Sequence, residues 1–369
     1  MPLRFKLAAL ALGLVAALAG AELLLRATGM GFGNSPMEPD PFLHHVHPRN
    51  YRFVQQHPSG ELGGFEIEYN ADGRVFAGSG RTTPQAAGTA LPCRVAVMGD
   101  SFTEGGQVPF DQTFAGLLEK AAGPKCEVRN YGVRSYSPAI YLVQWTRDVQ
   151  PWKPDVVFLL LFGNDVREDF NYMQVSVRDD RGFPTAIQGP QDGWVLAQLR
   201  RSYVARFVRM VTLRAQWMWD NHGQEQWTIG GVVEENPDWG GETPGLVQEI
   251  DRRVRAAGSR LVVMAVPSRY RLMGDGKINV TGDFHQTVRD FTAQHGIEFL
   301  DLFVPFERAS KAGIPLFFLK DIHFAADGHL LTAAVIARGY SKYFPAVSSL
   351  TGAPVSAAFD GVAGQLAPP

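Results

Sequence analysis

This chain of 369 residues has few cysteines and a small net charge. Its two cysteines are too few for a small scaffold held together by disulfides, or for a zinc site with four cysteine ligands. The 37 acidic and 35 basic side chains leave a net charge of -2. Nucleic-acid-binding proteins typically carry a basic excess, so we expect no nucleic-acid partner. Hydrophobic residues make up 45% of the chain, which argues against a disordered protein. The length of the chain predicts one large or two smaller globular domains.

The first thirty residues have the pattern of an export segment. Arg4 and Lys6 precede an apolar stretch that continues, with one interruption, over residues 7–25. This order is typical of a signal peptide, and small residues within the stretch offer cleavage sites. The stretch is also about long enough to span a bilayer as a retained anchor. We predict a signal peptide or membrane anchor at 1–30 and a working domain outside the cytoplasm, periplasmic or secreted; a buried soluble helix is the less favoured alternative.

The next segment, 31–90, is rich in glycine, proline and histidine and shows no sustained periodicity, so we predict an extension that packs on the main domain. Alternating apolar and polar residues predict one short strand at 64–69. The segment contains four histidines, His44, His45, His47 and His57. No carboxylate or cysteine lies at a spacing that completes a metal site. We therefore interpret the four as exposed loop histidines and predict no metal centre.

From Cys93 onward, short apolar runs alternate with helical patterns. The runs occupy residues 94–98, 127–131, 155–162, 260–267 and 297–303. The third run is continuously apolar after its first residue, which is typical of a strand buried on both faces. Five such strands with helical crossovers predict a three-layer α/β fold with a parallel sheet. In such sheets, ligands bind outside the carboxyl ends of the strands.

Several residues that follow these strands are suited to catalysis. Ser101 comes after the first strand, Gly132 after the second and Asn164 after the third. Asp321 and His323 follow the fifth strand and a further loop. Acyl transfer needs a nucleophile, a base that takes its proton, an acid that orients the base, and donors for the oxyanion. Because strand ends share one edge of the sheet, the set predicts a serine-dependent acyl-transfer site.

The same residues resemble a known family. Four sequence blocks define the SGNH (GDSL) hydrolase superfamily, and the chain matches them at Gly99-Asp100-Ser101, Gly132, Asn164 and His323. The stretches GDSFTEGGQVP and FLKDIHFAADGH are similar to exported bacterial members with an N-terminal hydrophobic segment. The resemblance covers roughly residues 93–344. It implies a flavodoxin-like sheet of order 2-1-3-4-5, a serine esterase or O-acyltransferase activity, and no metal or organic cofactor.

The resemblance also implies a role for each residue. Ser101 would attack an ester carbonyl, His323 would take its proton and later protonate the leaving alkoxide, and Asp321 would orient the imidazole. The backbone N–H groups of Ser101 and Gly132 and the side-chain amide of Asn164 would form the oxyanion hole. The family acid commonly lies three residues before the histidine, whereas Asp321 lies two before His323. Residues two apart on an extended loop face the same side, so the pair can still meet.

The segment at 171–243 is longer than a simple strand-to-helix connection. It holds five of the seven tryptophans: Trp194, Trp217, Trp219, Trp227 and Trp239. Residues 196–219 predict an arginine-rich amphipathic helix. Because the segment follows Asn164, it would form a lid or an acceptor-binding wall beside the site. Tryptophans suit the faces of sugars but also simply pack helices, and both interpretations stay open.

The two cysteines occupy equivalent places on the first two strands. Cys93 lies six residues before Gly99, and Cys126 lies six before Gly132. If these strands are parallel neighbours, the two sulfurs start them side by side, and an exported location permits a disulfide. A Cα separation above about 7 Å would rule the bond out. Two buried free thiols are the alternative.

These features predict four regions: the export segment at 1–30, the extension at 31–90, an SGNH hydrolase domain at 91–345 with its insertion, and a tail at 346–369. The predicted function is a serine esterase that acts through an acyl-enzyme, with an O-acetyl or other O-acyl group on a carbohydrate as its substrate. One alternative is an O-acetyltransferase that modifies an extracytoplasmic polysaccharide. Another is a non-catalytic glycan-binding or scaffold protein that retains the fold. The membrane is an expected partner if the N-terminal segment is not cleaved.

Overall fold

The computed structural model describes residues 2–28, 37–57, 59–76, 93–191, 193–220, 239–269, 272 and 284–360. Helix α1 (Leu3–Ala27) buries none of its residues. Its most apolar window has a mean hydropathy of 2.2, so the helix is long and apolar enough to cross a membrane. This is compatible with the predicted signal peptide or membrane anchor.

The extension forms two small antiparallel sheets. In the first, β1 (Glu38–Asp40) pairs with β2 (His44–Val46). In the second, β4 (Gly63–Tyr69) lies between β3 (Tyr51–Gln56) and β5 (Val75–Phe76). Strand β4 confirms the strand predicted from the alternating pattern.

The interpretation of the extension's four histidines as exposed is wrong, because two are buried and the other two are partly buried. His45 and His47 are only 7% and 2% exposed, and His57 is half-buried. His45 Nε2 hydrogen-bonds to the backbone carbonyl of Arg134 at 2.9 Å. His47 Nε2 lies 3.4 Å from a carboxylate oxygen of Glu104. Because both partners belong to the main domain, these histidines attach the extension to it.

The described part of the main domain contains six further strands: β6 (Cys93–Gly99), β7 (Cys126–Asn130), β8 (Val156–Leu161), β9 (Ser176–Arg178), β10 (Pro184–Ile187) and β11 (Arg260–Ala265). Four of them form the central sheet in the order β7-β6-β8-β11, and all neighbouring pairs are parallel. The predicted α/β class and the first four places of the predicted strand order are therefore confirmed. Strands β9 and β10 form a separate antiparallel pair.

The fifth strand, predicted at 297–303, is wrong in its extent. Of these residues only Phe299 pairs with the sheet, through a parallel bridge to Val263 of β11. The chain then leaves the sheet because Asp301 accepts the N–H of Phe303 at 2.7 Å and so satisfies the start of a helix. The bridge still lies beside β11, where the last strand of the predicted order belongs.

Among the described residues, the α-helices of the main domain are α2 (Ser101–Glu104), α3 (Phe114–Ala122), α4 (Pro138–Gln144), α5 (Asp165–Gln174), α6 (Trp194–Arg201), α7 (Tyr203–Asp220), α8 (Thr243–Ala256), α9 (Phe284–His295), α10 (Phe303–Lys311), α11 (Ala326–Gly339) and α12 (Ala353–Phe359). Successive side chains of a strand point to opposite faces, so Phe158 and Leu159 of the fully buried β8 enter two different cores. Helices α3, α10, α11 and α12 pack in the first core, and α4, α8 and α9 pack in the second. The result is a three-layer domain, in which α12 belongs to the segment predicted as a tail.

The single helix predicted at 196–219 is wrong, because the chain breaks at Ser202. Its extended backbone (ψ 125°) separates α6 from α7, and its hydroxyl accepts an N–H group of the first turn of α7. Glu22 of α1 accepts two more, the N–H groups of Tyr203 and Val204, each at 3.0 Å. The N-terminal helix is thus in contact with the insertion.

The tryptophans of the insertion fall into two groups. Trp194 and Trp219 are 76% and 84% exposed. Trp239 packs against two phenylalanines of α9. Trp227 and the side chain of Trp217 lie outside the described residues. One tryptophan therefore packs a helix, and two present their rings to solvent.

The two cysteines lie opposite each other at the first residues of β6 and β7. Cys93 pairs with Cys126 in the register of the two parallel strands, and the residues form a disulfide with their Cα atoms 4.6 Å apart. This separation lies within the range of natural disulfides. The predicted disulfide is confirmed.

Candidate active site

Ser101 lies at the carboxyl end of β6, on the sharp turn into the short helix α2. Asp100 caps this helix, because its side chain accepts the N–H of Phe102 at 2.9 Å. The turn requires Gly99: a Cβ atom there would lie 2.2 Å from the hydroxyl oxygen of Thr103 and 2.9 Å from the carbonyl oxygen of Leu160. The glycine thus allows the backbone to turn directly after the strand, which holds the serine at the edge of the sheet.

The three expected catalytic side chains lie in contact with one another. Ser101 Oγ is 2.7 Å from His323 Nε2, and His323 Nδ1 is 2.5 Å from Asp321 Oδ1. The same carboxylate oxygen accepts the backbone N–H of His323 at 2.9 Å. The shorter spacing between acid and base therefore places the carboxylate against the imidazole, on the loop that precedes α11.

The carboxylate of Asp321 and the imidazole of His323 each stabilise the charged form of the other. Burial alone would raise the pKa of Asp321, but the facing imidazole of His323 and its hydrogen bonds hold that pKa well below its usual range. Burial alone would lower the pKa of His323, but the charge of Asp321 and its hydrogen bond raise it. The arrangement therefore favours a positively charged imidazole on His323.

The three predicted oxyanion donors differ in their surroundings. The N–H of Ser101 lies in the first turn of α2, and Asn164 follows β8 and precedes α5. The N–H of Gly132, by contrast, donates to the side chain of Asn130 at 2.8 Å. A Cβ atom on Gly132 would lie 2.3 Å from the backbone nitrogen of Glu104, so the glycine is needed for close packing. Gly132 is therefore not available as a donor in this structure, which corrects the predicted set.

Ser135, in the same loop as Gly132, adopts a conformation that the sequence did not reveal. It has a φ of 58°, a left-handed conformation that usually requires glycine, and it lies in a turn closed by the hydrogen bond from Tyr136 N–H to Val133 at 3.1 Å. Its carbonyl accepts the hydroxyl of Tyr172 at 2.7 Å. In the part of the chain that the structure describes, its N–H has no acceptor. A glycine here would have indicated the turn, but a serine gives no such signal.

A small cleft adjoins the catalytic side chains. Its enclosed volume is only about 10 Å³, and its lining includes Phe102, Phe162, Gly163, Ser268 and Ile322. Three of these residues directly adjoin a predicted site residue in the sequence. Within the described ranges, no group of three or more histidine, cysteine or acidic residues is arranged to hold a metal ion.

Several acidic side chains lie buried behind the site. Burial raises the pKa of Asp100 to about 6, and burial together with the charge of Asp100 raises that of Glu168 to about 8. Asp169 accepts hydrogen bonds from Ser137 and Thr243, both at 2.6 Å, while burial raises its pKa to about 7. These contacts join helices α4, α5 and α8, which indicates a structural role.

Comparisons with known proteins agree with this site. The model of the GDSL-like lipase/acylhydrolase family matches residues 97–331. No curated protein matches the chain.

Similar solved structures include LAE5, an alpha/beta hydrolase enzyme from the metagenome of Lake Arreo, Spain (15% identity, 72% of this chain and 99% of that chain, TM-score 0.41). They also include a mutant of Axe2, an acetyl-xylooligosaccharide esterase from Geobacillus stearothermophilus (13% identity, 68% and 94%, TM-score 0.41). A third is the acetyl xylan esterase AlAXEase (14% identity, 66% and 98%, TM-score 0.40).

The family model covers more than half of the chain, including Ser101 and His323. The resemblance to SGNH hydrolases is thereby confirmed. The chain belongs to the GDSL-like lipase/acylhydrolase family and is an SGNH-type serine hydrolase that acts on ester bonds.

Proposed function

We propose that this esterase hydrolyses an O-acyl ester on a carbohydrate through an acyl-enzyme on Ser101. The proposal rests above all on the continuous contact from Ser101 Oγ through the imidazole of His323 to the carboxylate of Asp321. Such a contact lets the hydroxyl lose its proton as it attacks.

The reaction has two halves. First, Ser101 Oγ bonds to the ester carbonyl carbon while His323 Nε2 takes the hydroxyl proton, and the Ser101 N–H and Asn164 side chain bind the oxyanion. The tetrahedral intermediate then expels the alcohol oxygen, which receives the proton from His323. In the second half, a water molecule gives its proton to His323 and attacks the acyl carbon, and Ser101 leaves with that proton. The products are the alcohol and the carboxylic acid.

Two features of the structure favour a short acyl group on a sugar. The cleft lined by Phe102, Gly163 and Ile322 encloses only about 10 Å³, which leaves no room for a long acyl chain. The insertion exposes the rings of Trp194 and Trp219, which offer flat apolar faces to a sugar ring. An O-acetyl carbohydrate combines a small acyl group with such a surface.

We further propose that the enzyme works outside the cytoplasm, held to the membrane by α1. The disulfide between Cys93 and Cys126 suits an oxidising compartment. Glu22 binds the N-terminus of α7, so the helix has a structural partner in the mature protein, which favours retention over cleavage. Alkaline carbonate extraction of a membrane fraction tests this: a retained anchor stays with the membrane, and a cleaved chain is released.

Labelling by a fluorophosphonate probe tests the nucleophile. The full chain should be labelled, Ser101→Ala should not, and Ser356→Ala, which removes an exposed hydroxyl on α12, should be labelled like the wild type. Absence of labelling in the wild type would contradict an active esterase and favour the scaffold alternative.

A panel of esters then tests the substrate. Acetyl esters of sugars should be hydrolysed faster than esters of long-chain acids. Acyl release that occurs only when an acceptor glycan is supplied would replace hydrolysis by acetyl transfer.

A further inference from the structure

A turn of the extension contacts the loop that carries the catalytic acid. His57 Nε2 lies 3.3 Å from Asp321 Oδ2, on the opposite side of the carboxylate from His323. Four residues later, Glu61 accepts the backbone N–H groups of Leu319 and Lys320, both at 2.5 Å. One short turn therefore holds the acid loop at its backbone and at its functional side chain.

The hydrogen bonds of His57 determine which ring nitrogen carries the proton. The backbone N–H of Ser59 donates to His57 Nδ1 at 3.3 Å, and the Ser59 hydroxyl lies 2.7 Å from the same nitrogen. An Nδ1 that accepts a hydrogen bond has no proton, so a neutral His57 carries its proton on Nε2. That proton faces the free oxygen of Asp321.

A neutral donor is well suited to this place. Burial lowers the pKa of His57, although the nearby Asp321 opposes the effect. A cation in this position would compensate the charge of Asp321 and weaken its effect on His323. A neutral N–H instead fixes the carboxylate and leaves its charge directed at the catalytic imidazole.

We propose that His57 is a positioning residue, which holds the second oxygen of Asp321 so that the first stays aligned with His323. The inference rests on the proposed function of Asp321 as the catalytic acid. Asp321 lies one residue closer to its histidine than the family acid commonly does, and the extension holds its loop through His57 and Glu61.

The test compares two substitutions of His57. His57→Leu removes the donor, and His57→Gln keeps an N–H at the end of the side chain. A hydrogen bond to a charged group corresponds to a roughly 10- to 150-fold effect. The rate of fluorophosphonate labelling and kcat should fall by about this factor in His57→Leu, with KM changed less than about twofold, since the residue acts on the transition state only. His57→Gln should recover most of the loss.

Two further variants complete the experiment. Glu66→Gln alters an exposed ion pair on the same extension and should leave labelling unchanged. Glu61→Gln weakens the hold on the loop backbone without touching His57, and should reduce kcat at constant KM even if His57→Leu does not fold.

Each outcome decides the inference. Wild-type labelling rates in folded His57→Leu would overturn it, as would a His57→Gln variant that is as slow as His57→Leu. If the wild type itself is not labelled, the proposed esterase function fails first. If the wild type is labelled and the His57 variants equal it, only the positioning role fails.

Discussion

Replacing Asp321 with asparagine is the most direct test of the acid. The carboxylate oxygen lies 2.5 Å from His323 Nδ1 and also binds the backbone N–H of the same residue. An asparagine amide can donate to Nδ1, which moves the imidazole proton to Nε2, and an Nε2 that carries a proton cannot take one from Ser101. We expect kcat to fall by about 10⁴-fold, equivalent to about 5.5 kcal/mol of transition-state stabilisation.

The pH dependence of the same variant carries a second, independent signature. Catalysis needs a neutral His323, so activity is lost as the pH falls through the pKa of this residue. In the wild type, burial would lower that pKa, but the charge and hydrogen bond of Asp321 raise it. The substitution removes the two effects that raise the pKa of His323 and leaves the effect of burial, which lowers it. The acid limb of the residual activity should therefore shift to lower pH, although the activity itself is smaller.

The assay measures kcat/KM on an acetyl ester from about pH 4 to about pH 9, where the acid limb of a histidine falls. Asp360→Asn, which changes an exposed carboxylate at the end of α12, serves as the matched control and should equal the wild type. An Asp321→Asn variant within tenfold of the wild type, or an acid limb that does not move, would refute the role assigned to the acid.

Three further predictions concern stability. Replacing Cys93 and Cys126 with serine should lower the free energy of unfolding by about 4 kcal/mol, the chain-entropy value for a separation of 33 residues, in urea titrations; a loss below about 1 kcal/mol would contradict this. Burial lowers the pKa of His329 to about 3, so its contribution to stability is lost as the pH falls from about 6.5 towards 3. Between about pH 3 and about pH 6.5, His329→Gln should reduce the slope of the free energy of unfolding against pH by about 1.4 kcal/mol per pH unit. An unchanged slope would contradict this prediction. Gly99→Ala should destabilise by at least about 1–3 kcal/mol, whereas Gly193→Ala, with open space around it, should not.

The central sheet could be predicted because its signals are local. A run such as Val156–Leu161 is apolar at every residue, and a strand buried on both faces needs this pattern. The register of Cys93 and Cys126 followed from the equal distances to the ends of their strands. The positions of Ser101 and Asn164 could be predicted for the same reason, since residues that follow parallel strands lie at one edge of the sheet.

Two elements were predicted wrongly because a single polar residue starts a helix within a continuous hydrophobic pattern. The apolar run at 297–303 resembled a strand, but Asp301 starts a helix within it. The amphipathic pattern at 196–219 continues through Ser202, where the chain nevertheless turns. In both places, a short polar side chain that binds backbone N–H groups decided where an element begins.

The loop between β7 and α4, which contains Gly132, shows a different kind of error. Gly132 was assigned as a donor because it matches one of the family's sequence blocks, but it packs closely against α2 and its N–H donates to Asn130. The left-handed residue in this loop is Ser135. Glycine or asparagine in a sequence can indicate a residue with positive φ. A serine that its surroundings hold in this conformation gives no such indication.

The extension was the least predictable part, and it lies next to the chemistry. Its contacts with the acid loop join residues 258 and 259 positions apart, from Glu61 to Leu319 and Lys320, so no periodicity reflects them. On its other side the loop is held by Arg269, which donates to the carbonyls of Asp321 and Leu319 at 3.1 and 3.0 Å. The family model begins only at residue 97. The segment common to the family therefore supplies the reacting groups, while a segment outside it holds the acid loop in place. The functional unit of this enzyme is larger than the part of the chain that the family motifs define.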